Sequence, residues 1–406
     1  MLSEETKNQE VAQWENTDSD ANAASGNESK GKIAAAACAG KAIAAICCIC
    51  LMAVLMCHMI LAGGSGTASS VSSIASAVFM DKFDMFMVNK TSDALDGILN
   101  IEKVYWLSDQ DLVAPEPNPG NYGTAQKPEE LAWLLEEAKD LIGDQKMLFD
   151  INTPVWEKDK IYYYYDETIL VITWKQLVGR ACYTISEVKV AHPSQFRRFL
   201  ADGEFGSDKQ YTTTAMAKSV NAVVASSGDF YKHRQMGIVV HEGQIKRAEF
   251  NRVDTCFIDN QGNLIFSPKQ EFQDQETAQK YVDDHNIRFS LAFGPILIQD
   301  GKACYPQRYT LGEIDGHYSR MALCQSGQLH YLLVNATAAT DRQVRPTIAE
   351  FAEALLAYGV DKAYALDGGQ TTVIAMDGEL ITNVDYGYQR KISDIIYFAT
   401  ALPDGE

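Results

Sequence analysis

Short β-rich runs separated by glycine-containing turns dominate the chain from Ile161 onward. Ile161–Tyr165, Thr168–Trp174, Glu187–Ala191 and Tyr331–Asn335 are rich in the aromatic and β-branched residues that suit a pleated, half-buried surface. His241-Glu242-Gly243-Gln244 and Asp259-Asn260-Gln261-Gly262 each separate two such runs and read as hairpin turns, as does Met376-Asp377-Gly378-Glu379. Helical patterning is sparser. It covers Thr212–Val224, which leads into a strand before Gly228, Glu276–His285, and Thr347–Tyr358, which Gly359 ends; Pro193–Leu200 reads as a short helix. Hairpins interleaved with single helices predict an α+β fold, with mixed or antiparallel sheets and flanking helices.

The N-terminal part is organised differently. Ala42–Ala62 is an apolar run of 21 residues with one ionisable group, His58, and about 20 residues span a bilayer core. Lys30, Lys32 and Lys41 lie before it, and Gly63–Met80 carries no charge. The positive-inside rule then makes residues 1–41 a disordered cytoplasmic tail, 42–62 a transmembrane signal anchor, and the remainder extracytoplasmic. A cleaved signal peptide is the alternative, with an unusually long n-region. Residues 63–159 read as a spacer and helical juxtamembrane region. Helix-like patterning runs over 78–108, a loop follows at Pro115–Asn121, and a helix over Glu129–Ile142 is opened by Pro128 and closed by Gly143. This region would be a stalk or a packing element. Residues 160–402 form the globular domain.

The chain has 35 basic against 54 acidic residues, a net charge of −19. Such a balance excludes broad nucleic-acid binding and disfavours docking on anionic lipid. An anionic substrate would have to be held by individual arginines. Cys182, Cys256, Cys304 and Cys324 lie in the globular part, without the close spacing of a zinc site. Four cysteines allow three complete pairings, and free thiols are equally open. His192, His233, His241, His285, His317 and His330 are scattered, so no metal site is assigned, and a need for a divalent cation is not readable. No nucleotide-binding loop, dinucleotide fingerprint or nucleophile elbow occurs, and no cofactor is identified.

The densest chemical signal is Tyr364-Ala365-Leu366-Asp367-Gly368-Gly369-Gln370-Thr371-Thr372-Val373-Ile374. An apolar strand stops at an acid, two glycines and two hydroxyls follow, and a second strand begins. The glycines leave room for a ligand beside the backbone, and the amides and hydroxyls are anion donors. A plain hairpin turn is the competing reading, since Asp-Gly and Gly-Gly are common turn dipeptides.

This stretch resembles the Asp-Gly-Gly-Gly-Ser-Ser signature of the phosphodiester glycosidase family. Ser226-Ser227-Gly228-Asp229-Phe230-Tyr231 resembles the family's Asn/Ser-Gly-Asp-Phe/Tyr-Tyr element. Phe293-Gly294-Pro295-Ile296-Leu297-Ile298 with Asp300-Gly301-Lys302 resembles its Gly-Pro-x-Leu strand and turn. Thr347-Ile348-Ala349-Glu350-Phe351-Ala352 resembles the start of the helix before the Asp-Gly-Gly strand, and Arg390-Lys391-Ile392-Ser393-Asp394-Ile395-Ile396 the closing strand. The segments occur in the family's order over roughly residues 160–402.

The resemblance implies a hydrolase that removes a sugar from a sugar-1-phosphodiester. In this chain it implies Asp367 and Asp229 as catalytic or sugar-binding acids. Arg320, Arg390, Gly368, Gly369, Gln370 and Thr371 would hold substrate or phosphate, with His233 as a site neighbour. With the anchor, it implies a glycan or sugar-phosphodiester partner in a cell-envelope glycan or exopolysaccharide. The chain also departs from the pattern. Gln370 stands for a third glycine, Thr371 and Thr372 for serines, and Val334-Asn335-Ala336-Thr337 for Val-Asp-Gly-Arg, with Arg342 or Arg345 as a substitute cation. These differences keep a non-catalytic glycan-binding or envelope-assembly protein on the same scaffold as the alternative.

Overall fold

The computed structural model describes residues 107–108, 112–229, 231–310, 314–338, 340 and 343–403. The expected tail and signal anchor, most of the helical patterning that begins at residue 78, Phe230 and Arg342 lie outside the described residues. Among the described residues no helix is long and apolar enough to cross a membrane.

The first strands are β1 (Tyr122–Ala125), β2 (Ile161–Asp166), β3 (Ile169–Val178), β4 (Ala181–Val190), β5 (Phe196–Leu200) and β6 (Val224–Ser227). Next come β7 (Val239–His241), β8 (Gln244–Arg247), β9 (Thr255–Asp259), β10 (Leu264–Ser267), β11 (Ile287–Leu291), β12 (Ile296–Gln299) and β13 (Lys302–Ala303). The last are β14 (Arg320–Gly327), β15 (His330–Thr337), β16 (Lys362–Leu366), β17 (Ile374–Met376), β18 (Glu379–Leu380) and β19 (Asp394–Phe398). They form a nine-stranded sheet in the order β1-β2-β3-β4-β15-β14-β16-β12-β13, a five-stranded sheet β18-β17-β6-β19-β5, a three-stranded sheet β10-β9-β11 and the hairpin β7-β8. All the ladders among the described residues are antiparallel. The α+β expectation therefore holds in an antiparallel, sheet-rich form with few helices.

The nine-stranded sheet is a middle layer. On one face Leu170, Ile172, Trp174, Ile185, Leu332 and Ala365 pack against Phe351 and Leu355 of the helix Ile348–Ala357 and against Leu131 and Leu134. On the other, Ile169, Val171, Val188, Leu333 and Leu366 meet Phe196, Ile396 and Phe398 of the five-stranded sheet and Cys256 and Phe289 of the three-stranded one. Both faces are covered, so β4 and β15 are buried along their whole length and β3 over its first eight residues, polar side chains such as Glu187 and Asn335 included. Each fully buried Leu, Ile or Phe contributes about 1.5–3 kcal/mol. Glu187 lies inside this layer. It accepts the amides of Leu148 and Phe149 and pairs with His330 at 2.7 Å, tying the preceding loop to the sheet.

Two local expectations change. Pro193–Leu200 is a single turn, Pro193–Gln195, followed by β5. Pairing with β19 and the stacking of Phe196 on Phe398, ring centres 4.7 Å apart, outweigh local helix preference. The helix opened by Pro128 is divided into Pro128–Leu131, Ala132–Glu137 and Lys139–Ile142, ending at Gly143 with φ 62°. The described residues between 112 and 159 pack on the sheet: β1 pairs with β2, and Leu131, Leu134 and Phe149 are buried. The cysteines of the globular part are free thiols, with Cys182, Cys256 and Cys324 buried and Cys304 exposed.

Candidate active site

β16 and β17 are not a hairpin. β16 pairs with β14 and β12, whereas β17 pairs with β6 and β18 in another sheet. The Asp367–Val373 segment is where the chain leaves one sheet for the other. A cleft of about 280 Å³ opens there, lined by Asp367, Gly368, Gly369, Arg234 and Arg320, with Phe293, Tyr309 and Tyr318 among its aromatic walls. Met321 pairs with Leu366, so one step along the ladder sets Arg320 beside Asp367.

Gly368 is required by space. A Cβ there would stand 2.8 Å from the Ser319 carbonyl oxygen, a backbone atom that cannot swing aside, and the Gly369 amide already donates to that oxygen at 2.8 Å. Gly368→Ala is expected to cost about 1–3 kcal/mol in stability, measurable by denaturant unfolding. Gly369 has φ 68°, a conformation that glycine adopts without penalty.

Asp367 is half-buried as a residue, but its Oδ2 is fully enclosed and has no hydrogen-bond partner. Burial pushes its pKa up to about 6, against the opposing pull of Thr371, the Arg390 charge, the Gly368 amide and the Arg234 charge. The carboxyl thus exchanges its proton near neutrality, the range in which an acid–base group is most useful. Arg320 lies over the Tyr318 ring at 5.5 Å and donates to the carbonyls of Gly316 (2.6 Å) and Pro346 (3.4 Å). These contacts hold its guanidinium at the cleft wall.

Asp229 occupies a different environment. Its Oδ1 accepts from Arg198 Nη2 at 3.0 Å and from the Tyr231 amide at 2.8 Å; its Oδ2 accepts from the Ala292 amide at 2.7 Å. Arg198 also binds Asp394 at 2.8 Å, and all three side chains are at most 1% exposed. The arginine additionally donates to the Ser290 carbonyl. Burial raises the pKa of Asp394, while Arg198 pulls it down. Gly228 closes over the triad, where an added Cβ would be 2.1 Å from Asp394 Oδ2. Asp229 is therefore not a lining group of the cleft. It holds the start of the loop that carries Arg234 and the residue before Phe293, and both Arg234 and Phe293 line the cleft.

Residues 220–399 match the phosphodiester glycosidase family model. This span is a phosphodiester glycosidase domain. Strands β2–β5, which share two of its sheets, precede the matched span. An SPβ prophage-derived protein, YomE of Bacillus subtilis, is 24% identical over 208 residues, covering 50% of this chain and 31% of that protein. The chain thus spans about a third of that relative's length. The catalytic domain of zebrafish N-acetylglucosamine-1-phosphodiester α-N-acetylglucosaminidase, auto-inhibited by its pro-peptide, aligns at 14% identity and a TM-score of 0.44, covering 69% of this chain and 88% of that one. A hypothetical protein from Synechocystis aligns at 13% identity and a TM-score of 0.42, covering 61% of this chain and 64% of that one.

Within the phosphodiester glycosidase domain, Asp367, Gly368, Gly369 and Arg320 share one cleft. Arg390 acts on both Asp367 and His233 through its charge; burial is the first cause of the lowered His233 pKa and Arg390 the next. His233 meets the Gln210 side chain. Gln370 donates to the Tyr388 carbonyl at 3.1 Å, and Thr371 donates to the Gly368 carbonyl at 2.8 Å. At the position of the missing arginine, Thr337 lies within a cluster of Ser319, Asp385 and Arg345, with Arg345 bound to Asp385 at 2.7 Å. Arg234 was not among the candidates, although it ends the basic run Lys232-His233-Arg234 beside the Asp229 element. Arg198 and Asp394 also went unassigned. The signal there was a charge inside an apolar strand, which must find a counter-charge when buried. Among the described residues no group of three or more His, Cys, Asp or Glu side chains is placed to hold a metal ion.

Proposed function

We propose that this protein hydrolyses a sugar-1-phosphodiester at the anomeric carbon, as a membrane-anchored, extracytoplasmic enzyme acting on a cell-envelope glycan or exopolysaccharide. The observation that carries the reading is the enclosed Asp367 carboxyl in one cleft with Arg234 and Arg320, inside a phosphodiester glycosidase domain. The anchor rests on the apolar Ala42–Ala62 run.

In the proposed reaction Asp367, as carboxylate, takes a proton from a water molecule that attacks the anomeric carbon. The bond from that carbon to the phosphate oxygen breaks, and its electron pair leaves with the phosphate monoester. A phosphate is a weak base, so its departure needs charge stabilisation more than protonation. Arg234 and Arg320 supply it, with Arg390 adding to the positive field. The Gly369 amide is engaged by Ser319 and the Gly368 amide faces Asp367, so neither backbone amide is assigned to the phosphate.

The test is release of free sugar by the full-length protein from methyl 1-phosphodiesters of glucose, mannose and N-acetylglucosamine. Release from any of them supports the reading; no release from a folded preparation overturns it. Arg234→Ala and Arg320→Ala are each expected to lower kcat/KM by about ten- to a hundredfold. The non-catalytic alternative draws on Thr337 and on the commitment of Arg345 to Asp385. It requires saturable glycan binding without product.

A further inference from the structure

The segment between β18 and β19 exposes two aromatic rings beside the cleft. Tyr386 is 85% and Tyr388 64% exposed, the two most exposed large hydrophobic side chains among the described residues. Tyr386 also has φ 62°, a left-handed conformation costly for a bulky residue.

The exposure does not come from a loosely held loop. Asp385, just before Tyr386, accepts from Arg345 Nη2 at 2.7 Å and from the Ser319 hydroxyl at 3.0 Å, and its side chain is only 10% exposed. Ser319 lies between Tyr318 and Arg320, two residues of the cleft wall. On the other side, Gln370 donates to the Tyr388 carbonyl at 3.1 Å, and Gln370 directly follows Gly369 of the cleft floor. The loop is thus pinned to both cleft segments, with its rings turned to water. Rigid tyrosines offer a large amphipathic contact face at low entropy cost. Gln370, which departs from the family pattern, is one of the two pins.

We infer that Tyr386 and Tyr388 form a binding subsite for sugar units flanking the scissile bond, so that the preferred substrate is a chain of sugar-phosphate units and not a single diester. The occupant is a glycan because the platform continues a cleft whose cations suit a sugar phosphate, and pyranose rings present C–H faces that stack on aromatic rings. This inference rests on the proposed hydrolysis for its reacting bond, but not for its binding surface.

The experiment compares methyl N-acetylglucosamine 1-phosphate with a four-unit oligomer of N-acetylglucosamine 1-phosphate joined by phosphodiesters. Turnover and calorimetric binding are measured on the full-length protein and on Tyr386→Ala/Tyr388→Ala. The expected result is about a tenfold fall in the oligomer-to-monomer ratio of kcat/KM, with a matching loss of oligomer affinity. Tyr386→Phe/Tyr388→Phe should retain most of the ratio, because stacking survives loss of the hydroxyl. An unchanged ratio, or equal oligomer affinity in parent and double alanine variant, overturns the subsite. If neither compound is turned over but the oligomer binds in a tyrosine-dependent way, the subsite stands and the hydrolytic reading falls. If the parent does not bind the oligomer at all, the inference fails.

Discussion

Asp367→Asn is expected to lower kcat by about a hundred- to ten-thousandfold and, at neutral pH, to raise the stability of the protein. Both effects come from one enclosed carboxyl with an unpartnered Oδ2 and a pKa near 6. Asparagine cannot accept the proton of the attacking water. The same substitution removes a buried charge that burial disfavours. The folded pKa of about 6 lies above the ordinary value of 3.8. Well below pH 3.8 the group is protonated in both states and costs nothing. As pH rises from there through 6, the unfolded state loses its proton first, and the folded state is progressively disfavoured. Above pH 6 the full penalty remains, on the order of 2–3 kcal/mol. Melting curves should show the variant several degrees more stable at pH 7.5 and nearly equal to the parent at pH 3. In the parent, kcat/KM should rise with pH through about 6 and then level off. An acidic optimum falling above pH 6 would assign Asp367 the opposite role, that of proton donor.

Arg198→Met is the second large effect, and it is structural. Removing the guanidinium leaves Asp229 and Asp394 buried with no cation between them, and their partner oxygens only 3.0 and 2.8 Å from the lost nitrogen. Breaking a buried ion pair from one side costs about 3–5 kcal/mol. Denaturant unfolding should show that loss, or the variant should fail to accumulate folded. The cause is separable from lost packing. Arg198→Met combined with Asp229→Asn and Asp394→Asn removes the uncompensated charges, and should recover a substantial part of the loss. If the triple variant is no more stable than Arg198→Met, buried charge is not the cause. Asp229→Asn alone keeps the shape of the acceptor. It should perturb activity mainly through the Tyr231 and Ala292 amides that position the cleft walls.

Much of the architecture is local. Thr347 and Glu350 cap the helix Ile348–Ala357 reciprocally, Glu350 Oε2 accepting the Thr347 amide at 2.8 Å, and the motif lies within four residues. The turns at Gly243, Gly262 and Gly378 have φ between 66° and 79°, the conformations that glycine favours. Such features depend on near neighbours, so they can be read from the chain directly. Pro193–Leu200 shows the limit. Its residues permit a helix, and a strand nearly 200 positions away makes it a strand.

The two acids of the site make the same distinction. Asp367 and Asp229 each follow an apolar strand and adjoin glycine, and nothing nearby separates their roles. Arg198 does, from 31 and 196 residues away from Asp229 and Asp394. It draws Asp229 into a dry ion triad and leaves Asp367 enclosed at the cleft. Residue types and short spacings established the family signature, the turns and the helix cap, because their physics acts over a few bonds. Which carboxyl would be neutralised and which left to titrate near neutrality was settled only by folding, since burial and charge pairing join groups that the chain keeps far apart.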